Sequence, residues 1–503
     1  MRSTKVVYNI ITNLVLQIIV IIYGFIVPKI IISTYGSTVN GLISSITQFL
    51  AYITLLESGF GPVVRSILYK PIAKKNNQEL INILYTSEKF FKRIACFFIV
   101  YILILCIFYP LIVSKDFDFF YTISLIVIIS ISTFSEYFFG MTYRIFLQAN
   151  QQNYIINIIQ MTTYILSIVL ILILARIGVS VHTIKLLSTI VFVFRPLLQN
   201  LYVKKKYNLD LSKANHSYKI KQKWDALSQH IAAVITGNTD ITVLSIFLNL
   251  SYVSIYSVYY LVVKGVNSLI QSLTNGIDAS FGDMIAKGEY NNLNSKFRLY
   301  ELLCITATTI IYSCTYLLIT PFIMIYTKNI TDANYIQYGF GFLLVISQFI
   351  WAIRLPYSTL IMASGRFKET QIGAWIEAFS NIFFSIVFVK FYGIIGVVIG
   401  TIISMLIRTI EFIYHSNKYI LKRNLSDSLK KIFLVIYETL LIFLFSKLIS
   451  LNFDCSYFNW FINAIVVSLI ASCIVLLNNF IFLKKDMKLL YYMILKKIKK
   501  IGG

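Results

Sequence analysis

Apolar segments of about twenty residues recur along almost the whole chain, and they constrain its fold more than any other feature. A helix needs about twenty apolar residues to cross a bilayer, because each residue advances it by about 1.5 Å through a hydrocarbon layer of about 30 Å. The 503 residues contain about 14 such segments, mostly separated by short polar loops. The sequence therefore predicts an all-α integral membrane protein with about 14 transmembrane helices.

The charge of the chain is strongly basic, with 45 Lys and Arg against 21 Asp and Glu and a net charge of +24. In a soluble protein this balance would suggest nucleic acid as a partner. Here the loops are too short to hold a basic soluble domain, so nucleic acid is not an expected partner. Basic residues instead concentrate in loops beside the membrane, where they contact anionic lipids.

Most of the basic residues fall in alternate loops, on the side that also carries both termini. Basic loops remain cytoplasmic in multi-pass proteins. Both termini are therefore predicted to be cytoplasmic. The first apolar run, at about 6–32, is longer than the apolar region of a signal peptide and is expected to remain as the first span.

The two halves of the chain resemble each other. Phe60-Gly61 recurs as Phe281-Gly282, and Ile177–Val179 recurs as Ile395–Val397, both at an offset of roughly 220 positions. Six spans in each half give both halves one topology, as in parallel repeats. The predicted domains are a six-helix lobe at 1–202, a cytoplasmic basic linker at 203–225 that includes Trp224, a second six-helix lobe at 226–418, two appended transmembrane helices at 432–483 and a basic amphipathic cytoplasmic tail at 484–503.

Ionisable side chains lie within several spans, where each costs at least about 2.5–3.5 kcal/mol unless it faces a partner or a cavity. Their signs alternate along the chain, and their depths in the spans predict pairs. The predicted pairs are Asp240 with Lys264, Arg354 with Glu377, and Arg408 with Glu411. Two interpretations stay open: ion pairs that fix helix packing, or pairs that line or gate a cavity.

The stretch "LLESGFGPVVRSILYKP" places a carboxylate, helix breakers and a guanidinium at the inner end of span 2. Glycine and proline predict a bent or interrupted helix, which membranes tolerate beside protein or a water-filled cavity. We expect Arg65 at the inner mouth of that cavity, held by Glu57. The alternative is a plain proline kink with a snorkelling arginine. The predicted hinge residues are Gly59, Gly61, Pro62 and, beside Arg354, Pro356.

The chain lacks the motifs of the common catalytic and cofactor sites. It contains no phosphate-binding loop of the G-x-x-x-x-G-K-[ST] type, and its four histidines and six cysteines have no metal-ligand spacing. No long outer loop is present to hold an active site. We therefore expect a transporter with no catalytic residues, no metal and no cofactor.

Five stretches carry a family resemblance: "YGSTVNGLISSITQFLAYITLLESGFGPVVRS", "WDALSQHIAAVITGNTDITVLS", "SIYSVYYLV", "FGDMIAKGE" and "RLPYSTLIMASGRFKETQIGAWIEA". They resemble bacterial polysaccharide biosynthesis proteins, the repeat-unit flippases of the multidrug/oligosaccharidyl-lipid/polysaccharide (MOP) superfamily. The resemblance runs from the first span to about span 12. It implies two six-helix lobes in a V shape around a cationic cavity, with the two C-terminal helices as an addition.

The resemblance also implies a function. Flippases of this kind move undecaprenyl-diphosphate-linked oligosaccharides across the bacterial cytoplasmic membrane by alternating access, for capsule or other surface polysaccharide. The implied partners are that lipid-linked substrate, a coupling cation (H⁺ or Na⁺), and the polymerase and glycosyltransferases of the same pathway. The idea of cavity-lining basic residues carries over to Arg65, Lys264 and Arg354.

Two alternatives remain. A small-molecule or drug antiporter of the same superfamily would share the fold, but a carrier of cationic drugs should have a net acidic cavity. A membrane glycosyltransferase or polymerase would need an acidic catalytic pair facing a sizeable outer loop, and the outer loops here are short.

Overall fold

The computed structural model describes residues 2–57, 59–215, 218, 220, 227–274, 277–366, 368–448 and 456–491, and over these residues the regular structure is helical. Within that part of the chain, thirteen helices are long and apolar enough to cross a membrane. The predicted all-α membrane fold with about 14 transmembrane helices is thus confirmed.

The chain divides into two compact units. The first comprises Met1–Ser257 and Ile330–Ala333. Its helices are α1 (Arg2–Tyr35), α2 (Ser37–Ala51), α3 (Thr54–Glu57), α4 (Phe60–Lys74), α5 (Asn77–Ile112), α6 (Phe119–Ser135), α7 (Met141–Ala149), α8 (Asn153–Ile177), α9 (Val181–Tyr207), α10 (Leu227–Phe247) and the first part of α11 (Leu250–Thr274). A π-helical turn, Glu136–Gly140, joins α6 to α7, and a 3₁₀ turn, Leu211–Lys213, follows α9.

The second unit comprises Val258–Asn329 and Asn334–Gly503. Besides the rest of α11, its helices are α12 (Ile277–Ala286), α13 (Tyr290–Tyr326), α14 (Tyr338–Ser364), α15 (Gln371–Tyr392), α16 (Ile394–His415), α17 (Leu425–Leu448) and α18 (Tyr457–Phe482). A second π-helical turn, Ser416–Leu421, follows α16. This division falls inside α11; the lobes predicted at 1–202 and 226–418 stay a prediction.

The ends of several helices follow from their local sequence. The Asn76 side chain accepts a hydrogen bond from the Glu79 N–H at 3.2 Å, and Ser180 accepts one from the Thr183 N–H at 3.3 Å, so both cap the helix that follows. Gly178 and Gly365 end α8 and α14 in the left-handed conformation.

The predicted linker and tail are only partly described. α9 continues to Tyr207, so Lys204–Lys206 of the predicted linker are helical. Trp224 lies outside the described residues, as do most positions between 216 and 226. The tail is described only as far as Tyr491, so the rest of the predicted amphipathic segment also lies outside them.

Helix α17 has 24 residues and carries five charged residues, Asp427, Lys430, Lys431, Glu438 and Lys447. Lys431 and Glu438 are nonetheless buried, at 3% and 1% exposure. α17 packs against α13 and α18 through a cluster that includes Ile442 and Ala471. The buried lysine requires a negative partner nearby.

That partner is Glu301 on α13, whose side chain is fully buried. Its carboxylate lies 2.7 Å from the Lys431 ammonium and 2.6 Å from the Arg423 guanidinium. The Tyr357 hydroxyl of α14 donates a further hydrogen bond to it at 2.6 Å. One carboxylate therefore holds α13, α14 and the start of α17 together.

Asp486, which follows α18, extends this network. Its carboxylate lies 3.1 Å from the Lys431 ammonium and also pairs with the Arg298 guanidinium on α13. The segment after α18 is thereby fastened to the same end of α13.

We expect Glu301→Gln to destabilise the protein by about 3–5 kcal/mol, because it leaves Arg423 without its carboxylate and Lys431 with Asp486 alone. Thermal unfolding of the purified protein in detergent measures the loss. The matched control is Glu369→Gln, which breaks the exposed Arg366–Glu369 pair in the same unit and should cost less than about 1 kcal/mol. Equal losses in both variants would contradict the role assigned to Glu301.

Candidate functional site

The inner end of predicted span 2 is interrupted rather than kinked. α2 ends at Ala51, α3 covers only Thr54–Glu57, and α4 starts at Phe60. Gly59 takes φ +73°, and no atom lies within 4 Å of the place a Cβ would occupy there. Backbone conformation, not space, therefore requires glycine at this position. Pro62 sits in the first turn of α4, where its missing N–H has no partner to lose.

A cavity of about 390 Å³ lies against this interruption, within the first unit. Both hydroxyl and charged side chains face it from α2, α3, α6 and the adjoining π-helical turn. Its polar lining consists of Thr47, Thr54, Glu57, Ser132, Thr133, Glu136, Tyr137 and Arg144. An interrupted helix is tolerated within a membrane where its backbone lines a polar cavity, and this cavity meets that condition.

Glu57 is held by Tyr137, whose hydroxyl donates to the carboxylate at 3.3 Å. The expected contact of Glu57 with Arg65 is not formed: Arg65 is exposed on α4 and has no ion pair with a described residue of its unit. Even on one continuous helix the two side chains would lie about 12 Å apart along the axis and about 80° apart around it. The left-handed turn at Gly59 also separates α3 from α4.

An ion pair joins Glu136, in the π-helical turn beside the cavity, to Arg144 on α7. Both side chains are partly exposed, at 46% and 35%. Turns of this type are wider than an α-helical turn and occur frequently at functional sites. The sequence placed Arg144 in an inner loop and did not predict this pair.

A second charged cluster lies in the second unit and joins α14, α15 and α16. The Arg354 guanidinium is 2.6 Å from the Glu377 carboxylate, whose other oxygen is 3.5 Å from Arg408. Arg408 lies 2.5 Å from Glu411 and also donates to the Thr370 carbonyl at 2.7 Å. The structure thus brings together two predicted pairs as one cluster of two guanidiniums and two carboxylates.

The four side chains of this cluster are 4–19% exposed. Attraction between their opposite charges offsets the free energy that their desolvation costs. A Cβ on Gly373 would lie 1.7 Å from a Glu411 carboxylate oxygen. Only glycine at 373 therefore leaves room for Glu411. Pro356, one of the predicted hinge residues, lies inside α14, which continues through it to Ser364.

Asp240 and Lys264, the remaining predicted pair, fall in different units. The Tyr256 hydroxyl donates to the buried Asp240 carboxylate at 2.8 Å. Lys264 is exposed on α11 and has no ion pair with a described residue of its unit. Their pairing and the substrate contacts assigned to Lys264 stay predictions.

A polar seam along α2 was missed by the sequence analysis. Ser45 on α2 lies 2.6 Å from Ser245 on α10 and accepts a hydrogen bond from Tyr109 at 2.6 Å. Asn40 donates to Ser254 on α11 at 2.8 Å. Small polar residues in apolar spans are a weak signal that a sequence gives for close helix contacts.

The backbones of the seam approach closely at Gly41. A Cβ there would lie 1.8 Å from the Leu250 carbonyl oxygen, so no other residue fits. The Ser37 N–H and hydroxyl donate to Asp332 at 2.6 and 2.8 Å, which closes the end of the seam. The seam therefore joins the start of α2, the end of α10 and the start of α11 through hydrogen bonds.

Comparisons with known proteins find likeness to solved structures. No protein-family model matches the chain, and no curated protein matches it significantly. A lipid II flippase, MurJ, in an inward closed conformation superposes with a TM-score of 0.65 at 17% identity, covering 93% of this chain and 98% of that one.

Transporters named for other functions have the same architecture. An inward-facing multidrug resistance MATE family transporter of the MOP superfamily gives a TM-score of 0.61 at 14% identity, covering 82% of this chain and 98% of that one. A MOP superfamily transporter from Pyrococcus furiosus, described as having a binding pocket of reverse polarity, gives 0.52 at 12%, covering 84% and 96%. The protein is a multi-pass membrane protein with the fold of the MOP-superfamily transporters.

Proposed function

We propose that the protein is a flippase that moves undecaprenyl-diphosphate-linked oligosaccharides across the bacterial cytoplasmic membrane, with both termini cytoplasmic. Glycosyltransferases would build the substrate on the inner face, and a polymerase would consume it on the outer face. The fold supports the transport class, because proteins with this fold include a lipid II flippase and multidrug transporters. The family resemblance of the sequence supports the substrate class.

The observation that carries the proposal is that two exposed cations, Arg65 and Lys264, have no carboxylate partner among the described residues of their own units. Such cations would repel a cationic drug, whereas they would attract the diphosphate of a lipid-linked sugar. Guanidinium suits phosphate oxygens because its N–H groups bond two oxygens at once and stay charged at any relevant pH.

Arg354 enters the proposal differently, because the structure commits it to Glu377 at 2.6 Å. We infer that phosphate exchanges with the Glu377 carboxylate on this guanidinium during transport. Arg408 remains close to Glu377 at 3.5 Å, so the carboxylate keeps one cation when Arg354 leaves it.

The second candidate is a small-molecule antiporter coupled to H⁺ or Na⁺. It is favoured by the two carboxylates, Glu57 and Glu136, at the cavity of about 390 Å³ in the first unit. Carboxylates and hydroxyls are ligands for hard cations. The same cavity serves a flippase that uses a cation gradient, so it does not decide between the two cargoes.

Reconstitution of the full chain in liposomes separates the two functions. One arm contains a fluorescent polyprenyl-diphosphate sugar. An impermeant reductant quenches the fluorophore in the outer leaflet alone, so the fluorescence that remains measures the lipid in the inner leaflet. The other arm follows the uptake of a fluorescent cationic dye. We expect flipping of the diphosphate lipid and no dye uptake; dye uptake without flipping would overturn the proposal.

Replacing Arg65 should slow flipping. We expect Arg65→Ala to lower the rate roughly tenfold or more, since a charge-assisted hydrogen bond contributes about 1.5–3 kcal/mol. Arg65→Lys should keep part of the rate through its charge. Lys70→Ala, an exposed cation on the same helix, serves as control and should stay near the wild-type rate; an unchanged rate in Arg65→Ala removes Arg65 from the site.

The Arg354–Glu377 pair should separate stability from transport. Arg354→Gln leaves Glu377 with Arg408 alone and should lower both the unfolding temperature and the flipping rate. Arg354→Gln/Glu377→Gln removes both charges, so it should recover much of the unfolding temperature without recovering flipping. If flipping also returns in the double variant, Arg354 has a structural role only.

The interruption at Gly59 should matter for transport beyond its effect on stability. Alanine in a left-handed conformation costs about 1–2 kcal/mol, so Gly59→Ala should be slightly less stable and several-fold slower. Gly178→Ala is the matched control, because Gly178 has φ +77° and equally open surroundings at the end of α8. Similar loss of flipping in both variants would show that strain alone, not the position of the break, limits transport.

A further inference from the structure

A groove of about 890 Å³ lies on the first unit, between α5 and the 3₁₀ turn that follows α9. It is separate from the interruption in span 2 and from the charged cluster of the second unit. It is lined by Tyr85, Glu88, Lys89, Lys92, Arg93, Cys96, Phe97, Val100, Leu211 and Ser212. Charged residues occupy one end of it on α5, and apolar residues occupy the other.

The charged end is net basic. Glu88, the one carboxylate among the residues that line the groove, forms an ion pair with Lys92 at 2.5 Å and accepts a hydrogen bond from the Tyr143 hydroxyl at 3.2 Å. Lys89 and Arg93 are exposed and form no ion pair with described residues of the unit. Two cations one turn apart therefore line the groove without an ion pair to a described residue of the unit.

The apolar end continues along the same face of α5. Phe97 and Val100 are 63% and 54% exposed, and they follow Arg93 at the four- and seven-residue spacing of one helix face. α5 has 36 residues, so it is about 54 Å long and extends beyond a hydrocarbon layer of about 30 Å. The change from charged to apolar residues after Arg93 marks where the helix enters that layer.

The 3₁₀ turn Leu211–Lys213, which forms the wall opposite α5, is held in place by hydrogen bonds. The Gln78 side chain donates to the Lys213 carbonyl at 2.9 Å, and the Asn215 N–H donates to Asn82 at 2.8 Å, so the segment is fastened to α5. Hydrogen bonds from Ser212 to Asp210 stabilise the turn and lower the pKa of the Asp210 carboxyl. Leu211 and Ser212 thus line the groove together with Lys89 and Arg93, and hydrogen bonds to α5 hold their segment in place.

We propose that this groove binds one anionic phospholipid, with its phosphate at Lys89 and Arg93 and its acyl chains along Phe97 and Val100. The order of the chemistry along α5 selects this occupant. A phosphate head group joined to apolar chains matches a basic end followed by an apolar one, at the depth where the helix meets the membrane surface. The site is independent of what the protein transports.

Native mass spectrometry of the purified full chain, with phosphatidylglycerol or phosphatidylcholine added, tests the site. We expect phosphatidylglycerol to be retained preferentially, and Lys89→Gln/Arg93→Gln to weaken its binding by roughly thirtyfold, since two basic residues near a membrane surface contribute about 1 kcal/mol each. Ser212→Glu places a carboxylate on the opposite wall and should weaken binding as well. Lys70→Gln/Lys74→Gln removes the same charge from α4 and should leave binding unchanged.

Cys96 gives a local readout, because it is exposed and lines the groove. Alkylation of Cys96 by an uncharged maleimide in nanodiscs should slow when phosphatidylglycerol replaces phosphatidylcholine. The slowing should disappear in Lys89→Gln/Arg93→Gln and persist in the α4 control. Equal weakening by the control, equal retention of both lipids, or alkylation that is indifferent to the lipid would each overturn the proposal.

Discussion

The free energy needed to bury a charge organises the polar interior of this protein. An isolated ion in an apolar surrounding costs several kcal/mol even after relaxation, and only a well-placed counter-ion with further hydrogen bonds offsets that cost. Glu301 meets this condition with Arg423, Lys431 and Tyr357. The cluster around Arg408 meets it with two carboxylates. Where the counter-ion comes from another helix, as for Glu301 with Lys431 and Arg408 with Glu377, the buried charge also fixes which helices are neighbours.

How much of this a sequence can predict depends on where the partners lie. Arg408 and Glu411 are three residues apart on one helix, and the contact of Arg354 with Glu377 follows from depth along two neighbouring spans. Apolar length alone predicts the all-helical membrane fold. These are local or one-dimensional properties, so they can be read along the chain.

The features that the sequence did not predict correctly depend on backbone detail or on distant partners. The expected contact of Glu57 with Arg65 is not formed, because the left-handed Gly59 separates α3, which carries Glu57, from α4, which carries Arg65. The sequence does not indicate the role of Glu301, because its partners Arg423 and Lys431 lie in a stretch that resembles a solvated basic loop. The seam of α2 against α10 and α11 rests on serine, asparagine and glycine, which carry no charge to mark it. The cargo is harder still to predict, since structures with this fold include a lipid II flippase and a multidrug transporter.

The π-helical turn at Glu136–Gly140 has a consequence for how its ion pair is encoded. Eight residues of α-helix rotate by about 800°, which would leave Glu136 and Arg144 about 80° apart around the axis. A π-helical turn absorbs one additional residue, so the rotation falls to about 700°, within about 20° of two full turns. Both side chains then face the same side, as the ion pair requires. The pair is therefore specified by the number of residues between the two charges as much as by the charges themselves, and an alignment that shifts by one position here loses it.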